Sequence, residues 1–255
     1  MSTKLAKAQE TSLAIPDDLL AELAKDAKAS AALERPSIGN VSLRAGMLSY
    51  EGDPVKGNKL RVVVLAASHL NTFYTKSWDP ENPSSPDCFA LSEDGNGMAP
   101  HENVVTPKAE KCSTCPNFQW GSEIRDGKPT RGKACKESRR LVLLPESALE
   151  SAQDVQSAEL AMMRLPVTSV KVWANFINSL AATVSMPHYA VITEVTTQPD
   201  IKTQFKVVLT PVDTIKDPEI LRAVMAKRAE ARIATMVPFA AVEEGEAAPA
   251  GKEKF

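Results

Sequence analysis

The residues of this chain whose type and spacing best permit chemistry are its four cysteines: Cys88, then 23 residues, the tight pair Cys112-Ser113-Thr114-Cys115, then 19 residues, and Cys135. A Cys-x-x-Cys turn lets two thiolates bind one zinc ion, and two more soft ligands complete a closed tetrahedron with no open position for catalysis. One structural zinc ion held by Cys88, Cys112, Cys115 and Cys135 is therefore the expected cofactor. The usual zinc ribbon carries a second Cys-x-x-Cys, whereas here the remaining two ligands are single residues on opposite sides of the pair. Two other readings stay open, unliganded core cysteines and a redox pair. A redox Cys-x-x-Cys expects a helix starting between its cysteines within a βαβ pattern, and Cys115 is followed instead by Pro116-Asn117 and loop-like sequence. His101 could replace one cysteine as ligand or be an exposed loop histidine; His69 and His188 sit in apolar strand contexts that suit packed histidines.

Cations and rings surround the cysteines. Between 108 and 140 stand nine basic residues, Lys108, Lys111, Arg125, Lys128, Arg131, Lys133, Lys136, Arg139 and Arg140, against four acidic ones, in a chain whose net charge is -2. Cations segregated in this way can release counterions from a nucleic-acid backbone; the plainer reading is a solvated loop with a chance excess of Lys and Arg. Phe118 and Trp120 are interleaved with them, and Phe73, Tyr74, Trp78 and Phe89 precede them. Rings beside cations suit a single strand, whose bases are free to stack. Phe73, Tyr74, Trp78 and Trp120, with polar neighbours, are the candidates for stacking, while Phe89 and Phe118 are read as core of the metal module and Trp173 and Phe176 as core of a helix.

The elements that must position these residues read as β-dominated. Residues 1–37 form a helical arm, with Pro16-Asp17-Asp18 as a helix start. From Val41 the segments VSLRAGMLSY and KLRVVVLAASHL are expected to pair as a hairpin of two long strands. A Pro- and Ser-rich stretch then leads into an insertion at about 79–139, held by the metal. Further strands are expected near 140–144, 158–165, 189–197 and 203–212, with a helix over 167–184 whose Val170, Trp173, Ile177 and Leu180 share one face. A C-terminal helix spans 214–240, starting near Asp217, and 241–255 reads as a disordered tail. The fold class is β-dominated α+β: an oligonucleotide-binding-like (OB-like) small barrel over 38–213 with a zinc-bound loop insertion and flanking helices.

At 255 residues, 43% of them hydrophobic, the chain can fill a core. No apolar run reaches the roughly 18 to 20 residues of a membrane span, and the start MSTKLAKAQETSLA lacks a secretory h-region, so the expected location is the cytoplasm, without membrane partners. No Walker or dinucleotide fingerprint is present, and no histidine lies near a Ser or Asp that would suggest a triad. A nuclease would need converging carboxylates; Asp79, Glu81, Asp87, Glu93 and Asp94 lie in loop-like sequence that suits solvated acids. The chain is expected not to be an enzyme and to have no small-molecule substrate.

The string Cys112-Ser-Thr-Cys115-Pro-Asn-Phe-Gln-Trp-Gly-Ser122, followed by Gly132-Lys-Ala-Cys135-Lys-Glu-Ser-Arg-Arg140-Leu, with Asp87-Cys88-Phe89 upstream, resembles the zinc-containing single-stranded DNA-binding proteins of tailed bacteriophages. The resemblance covers about residues 38 to 213. It implies an OB-type barrel with a zinc insertion, binding to single-stranded DNA without sequence preference, and a role in phage DNA replication, recombination or repair in the host cytoplasm, with replication or recombination proteins as further partners. Glu243, Glu244, Glu246 and Phe255 partly match the acidic, aromatic-ended tails by which single-strand binders recruit partners. The alternative is a zinc-stapled protein-interaction or structural phage component that binds no nucleic acid.

Overall fold

A computed structural model of the chain describes residues 38–76, 84–201 and 203–239. The expected arm 1–37, the tail 241–255, and Trp78, Asp79 and Glu81 lie outside them. The strands are β1 (Gly39–Arg44), β2 (Met47–Tyr50), β3 (Asp53–Pro54), β4 (Lys59–Phe73), β5 (Cys88–Ser92), β6 (Ile124–Arg125), β7 (Lys128–Pro129), β8 (Lys136–Pro145), β9 (Ala161–Leu165), β10 (Val191–Asp200) and β11 (Gln204–Thr214). The helices are α1 (Ala152–Ser157), α2 (Val170–Thr183) and α3 (Pro218–Thr235).

Among the described residues nine strands form one curled sheet in the order β11-β10-β4-β8-β9-β1-β2-β3, with β5 added to β4, and β6 and β7 form a separate small hairpin. The 15-residue β4 is its spine. Along one edge its first half pairs with β10, Leu60 opposite Val195, and its last turns pair with β5, Phe73 opposite Cys88. The other edge pairs with β8 throughout. A register shift between Val64 and Ala66 marks a bulge in β4, and bulges sharpen twist and bend the strand. Across it the side chains change faces: Val62, Val64 and Ala67 join one apolar cluster, and Val63, Leu65 and Ala66 the other.

The curl leaves two cores. The inner one gathers Val62, Leu141, Leu143, Met163 and Val195 and is plugged by Trp173, Phe176 and Leu180 of α2. These three are the buried residues of that helix, and their 3.6-residue periodicity is what the sequence shows. The outer core packs Val63, Leu65, Val142 and Leu144 under Val155 of α1 and Ala223, Val224 and Ala231 of α3. α3 starts where Asp217 accepts hydrogen bonds from the Glu219 and Ile220 amides with Pro218 in the first turn, an N-cap arrangement.

Two expectations change. VSLRAGMLSY does not pair with β4; it folds on itself as the β1–β2 hairpin, Leu43 opposite Leu48. The turn runs through Ala45 and Gly46 at φ 49° and 79°, the left-handed pair that a two-residue hairpin needs. Asn58 then fastens this hairpin to β10, accepting from the Leu48 amide at 2.7 Å and donating to Thr197 Oγ1 at 2.8 Å. Nor is all of 79–139 an insertion, because Cys88–Ser92 and Lys136–Arg139 are strand residues of the main sheet.

Candidate metal and nucleic-acid site

The end of β4 brings the outer cysteines together. Cys88 pairs with Phe73, and Lys136 pairs with the preceding Thr72 across the opposite edge, so Cys135, one residue before Lys136, continues along the other side of the same strand end. The inner pair is built from local turns. Cys112 donates its amide to Met98 O, Cys115 donates to Cys112 O at 3.2 Å, and Phe118 donates to Cys115 O at 3.0 Å. Cys135 is tied to this knuckle through its amide to Asn117 O at 2.7 Å.

All four cysteines are unbridged thiols and line one cavity of about 20 Å³, together with Asn71, Phe73 and Phe118. That space is about enough for one water-sized particle. Burial, followed by the neighbouring sulfurs of Cys112, Cys88 and Cys115, pushes the Cys135 thiol up to about 12, and burial likewise raises Cys112. The sulfurs are not drawn into a formed centre: among the described residues no group of three or more His, Cys, Asp or Glu is arranged to hold a metal ion. Asn71, buried and lining the same cavity, donates from Nδ2 to Met98 Sδ at 3.6 Å, and among the described residues its Oδ1 has no partner.

Between Cys115 and Cys135 the loop is organised by a residue the sequence did not single out. Glu123 accepts from Lys136 Nζ at 2.6 Å, Thr130 Oγ1 at 2.7 Å and Arg125 Nη2 at 3.2 Å. Lys136 and then Thr130 hold its carboxyl at about 2. A Cβ on Gly132 would crowd Glu123 Oε2, so a larger residue there would push the Glu123 carboxylate from its present position. Lys133 lies over the Phe118 ring at 3.8 Å and the Trp120 ring at 5.1 Å, cation–π contacts that fix both rings.

The nine cations therefore fall into classes. Lys111, Lys128 and Arg131 are exposed, as is Arg125, which pairs with Glu123; Lys108, half-buried, lines the cysteine cavity. Lys133 and Arg139 pair with Glu137 and Lys136 with Glu123. Arg140 is a correction: it is 6% exposed, donates to Thr235 O at 3.3 Å and to Val237 O, and stacks on Phe239. A guanidinium committed to the end of α3 is structural and cannot reach a phosphate. Phe73 is corrected too, because it lines the cysteine cavity instead of standing in solvent. Tyr74 is half-buried, and Trp120, 77% exposed, is the ring most open to a ligand among the described residues. His101 stacks on Phe89 at 5.1 Å and accepts from the Asn103 amide at 3.1 Å, which gives it a packing role. No helix among the described residues is long and apolar enough to cross a membrane. Comparison of the chain with models of protein families, with curated proteins and with solved structures gives no match.

Proposed function

We propose that the protein is a non-enzymatic binder of single-stranded DNA, without sequence preference, whose contact surface is a loop organised by one structural zinc ion. The observation that carries this reading is that all four cysteines line one small cavity at the root of a loop that exposes Trp120 and four cations. Zinc bound by Cys88, Cys112, Cys115 and Cys135 would supply cross-linking and no chemistry, since four thiolates close its coordination sphere. Loading asks the four sulfurs to close onto one cation. Lys111, Arg125, Lys128 and Arg131 then meet phosphates, and Trp120 offers its face to a base.

The sheet supports an OB-like reading. β4, β8 and β9 form an antiparallel meander, α2 follows, and β10 returns to the first half of β4 with β11 beside it. That strand order is compatible with an OB-like fold, with the cysteine loop between β4 and β8. The resemblance of the cysteine strings to phage single-strand binders points the same way, to DNA replication, recombination or repair in a host cytoplasm.

The test is metal content combined with fluorescence titration by oligodeoxythymidine. One zinc per chain is expected, with quenching that a Trp120→Ala variant loses. Contact with about four phosphates gives a log–log salt slope of roughly -3. A flat salt response, or equal affinity for duplex, refutes the reading.

A further inference from the structure

Outside the metal loop, Arg164 on β9 is held in an unusual way. It is exposed, yet its guanidinium is oriented by two buried hydroxyls: Nε donates to Ser138 Oγ at 3.2 Å and Nη2 to Thr72 Oγ1 at 2.7 Å. Ser138 and Thr72 are 1% and 0% exposed, and Ser138 spends its own proton on Leu70 O at 3.2 Å, so it can only accept from the arginine. Among the described residues Arg164 has no carboxylate partner. Its neighbour is another cation, Arg140, whose pKa falls to about 10 through burial and, secondly, the charge of Arg164. Of five guanidinium donors, two are committed, and the rest remain for a ligand.

Arg164 lines a groove of about 380 Å³ with Lys136, Ser42, Val167 and Phe205. The groove has a structural cause. β1 pairs with β9 in parallel only from Gly39 opposite Ala161 to Val41 opposite Met163, while β9 continues to Leu165 and β1 to Arg44. Beyond Val41 the two strands part, and Phe205, at the start of β11, reaches the gap. Lys136 joins the groove to the metal loop, since it follows Cys135 and pairs with Glu123.

Resting on the single-strand reading, we propose that Arg164 is a phosphate clamp on a second segment of the bound strand, which runs from the Trp120 loop past Lys136 into the groove, with Phe205 beside its bases. An arginine fork fits a phosphate bidentately, and an orientation fixed by buried hydroxyls leaves little ordering to be done on binding.

The test compares the full-length zinc-loaded protein with Arg164→Gln and Arg164→Lys by fluorescence anisotropy of labelled oligodeoxythymidine over a range of salt. R164Q should weaken binding about tenfold, in line with a charged hydrogen-bonded contact, and should lower the magnitude of the salt slope by about 0.7, the share of one single-strand phosphate. R164K should keep the slope of the unchanged protein and lose about threefold in affinity, because charge persists and the fork does not. A purely structural role would move the thermal midpoint and leave the slope alone. Unchanged affinity and slope in R164Q, with tight binding by the unchanged protein, overturn the clamp and spare the loop-based reading. No binding by the unchanged protein overturns both.

Discussion

Glu123→Gln tests how the metal loop is held. The carboxylate, 17% exposed, stands at about 2 against an ordinary 4.5. A depression of that size is worth about 3 kcal/mol at neutral pH, at ~1.36 kcal/mol per unit. A neutral amide keeps part of the hydrogen bonding, so about 2 kcal/mol of loop stability should be lost. The pH dependence has a definite sign. A lowered folded-state pKa gives stability that is complete above 4.5 and is lost as pH falls through about 2; by pH 3 less than about half should remain. Amide hydrogen exchange reads this locally. Gly121 and Glu123 donate to Gly132 O at 3.0 and 3.2 Å and Thr130 to Glu123 O at 2.8 Å, and their protection at pH 7 should drop roughly 30-fold in E123Q. Protection equal to that of the unchanged protein, or a difference that stays constant from pH 7 to pH 3, refutes the electrostatic account.

Arg140→Met should lower global stability by about 2 kcal/mol, because the Val237 carbonyl loses its donor and Thr235 O keeps only Ser68 Oγ, and should leave the salt slope of oligonucleotide binding untouched; a lower slope at unchanged stability, in denaturant and anisotropy titrations, would return Arg140 to the contact surface. Removing zinc with a chelator should raise amide exchange at Cys115, Gly121 and Cys135 while β4 and β8 stay protected; unfolding of the sheet together with the loop contradicts this.

Local pattern revealed the elements whose side chains face one way. The apolar run in β4, the Trp173–Leu180 stripe of α2 and the Asp217-Pro218 start of α3 are each visible within a few residues. The β1–β2 turn was hidden because Ala45 is not a residue that advertises a left-handed conformation, as Asn or Asp before Gly would. β5 was hidden because five residues in a polar stretch carry little periodicity, and its pairing with β4 is a long-range choice. At the candidate site the sequence revealed the cations but not their partners. Glu123 and Glu137 neutralise Lys136, Lys133 and Arg139 only after the loop has folded back. Arg164 stands alone among apolar neighbours in Met162-Met163-Arg164-Leu165, and its importance appears only when Ser138 and Thr72, from two other strands, are placed beneath it.

The place of the cysteines on the sheet decides what a metal could add. Most small zinc domains rely on the ion to bring distant ligands together, and without it they unfold. Here Cys88, at the start of β5, and Cys135, at the end of the loop that joins β5 to β8, are set on either side of the β4 terminus by strand pairing that continues into a fully buried core. The entropy of closing that loop is met by the sheet, and only the Cys112–Cys115 knuckle awaits fixing. A cation bound there would stiffen the knuckle and the segment Pro116–Ala134 that carries Trp120, Arg125, Lys128 and Arg131, and would contribute little to the curled sheet. Stability and ligand grip are therefore separable: substitutions in the cysteine cavity should act on the affinity for a strand, and substitutions such as Leu143→Ala in the inner core on folding.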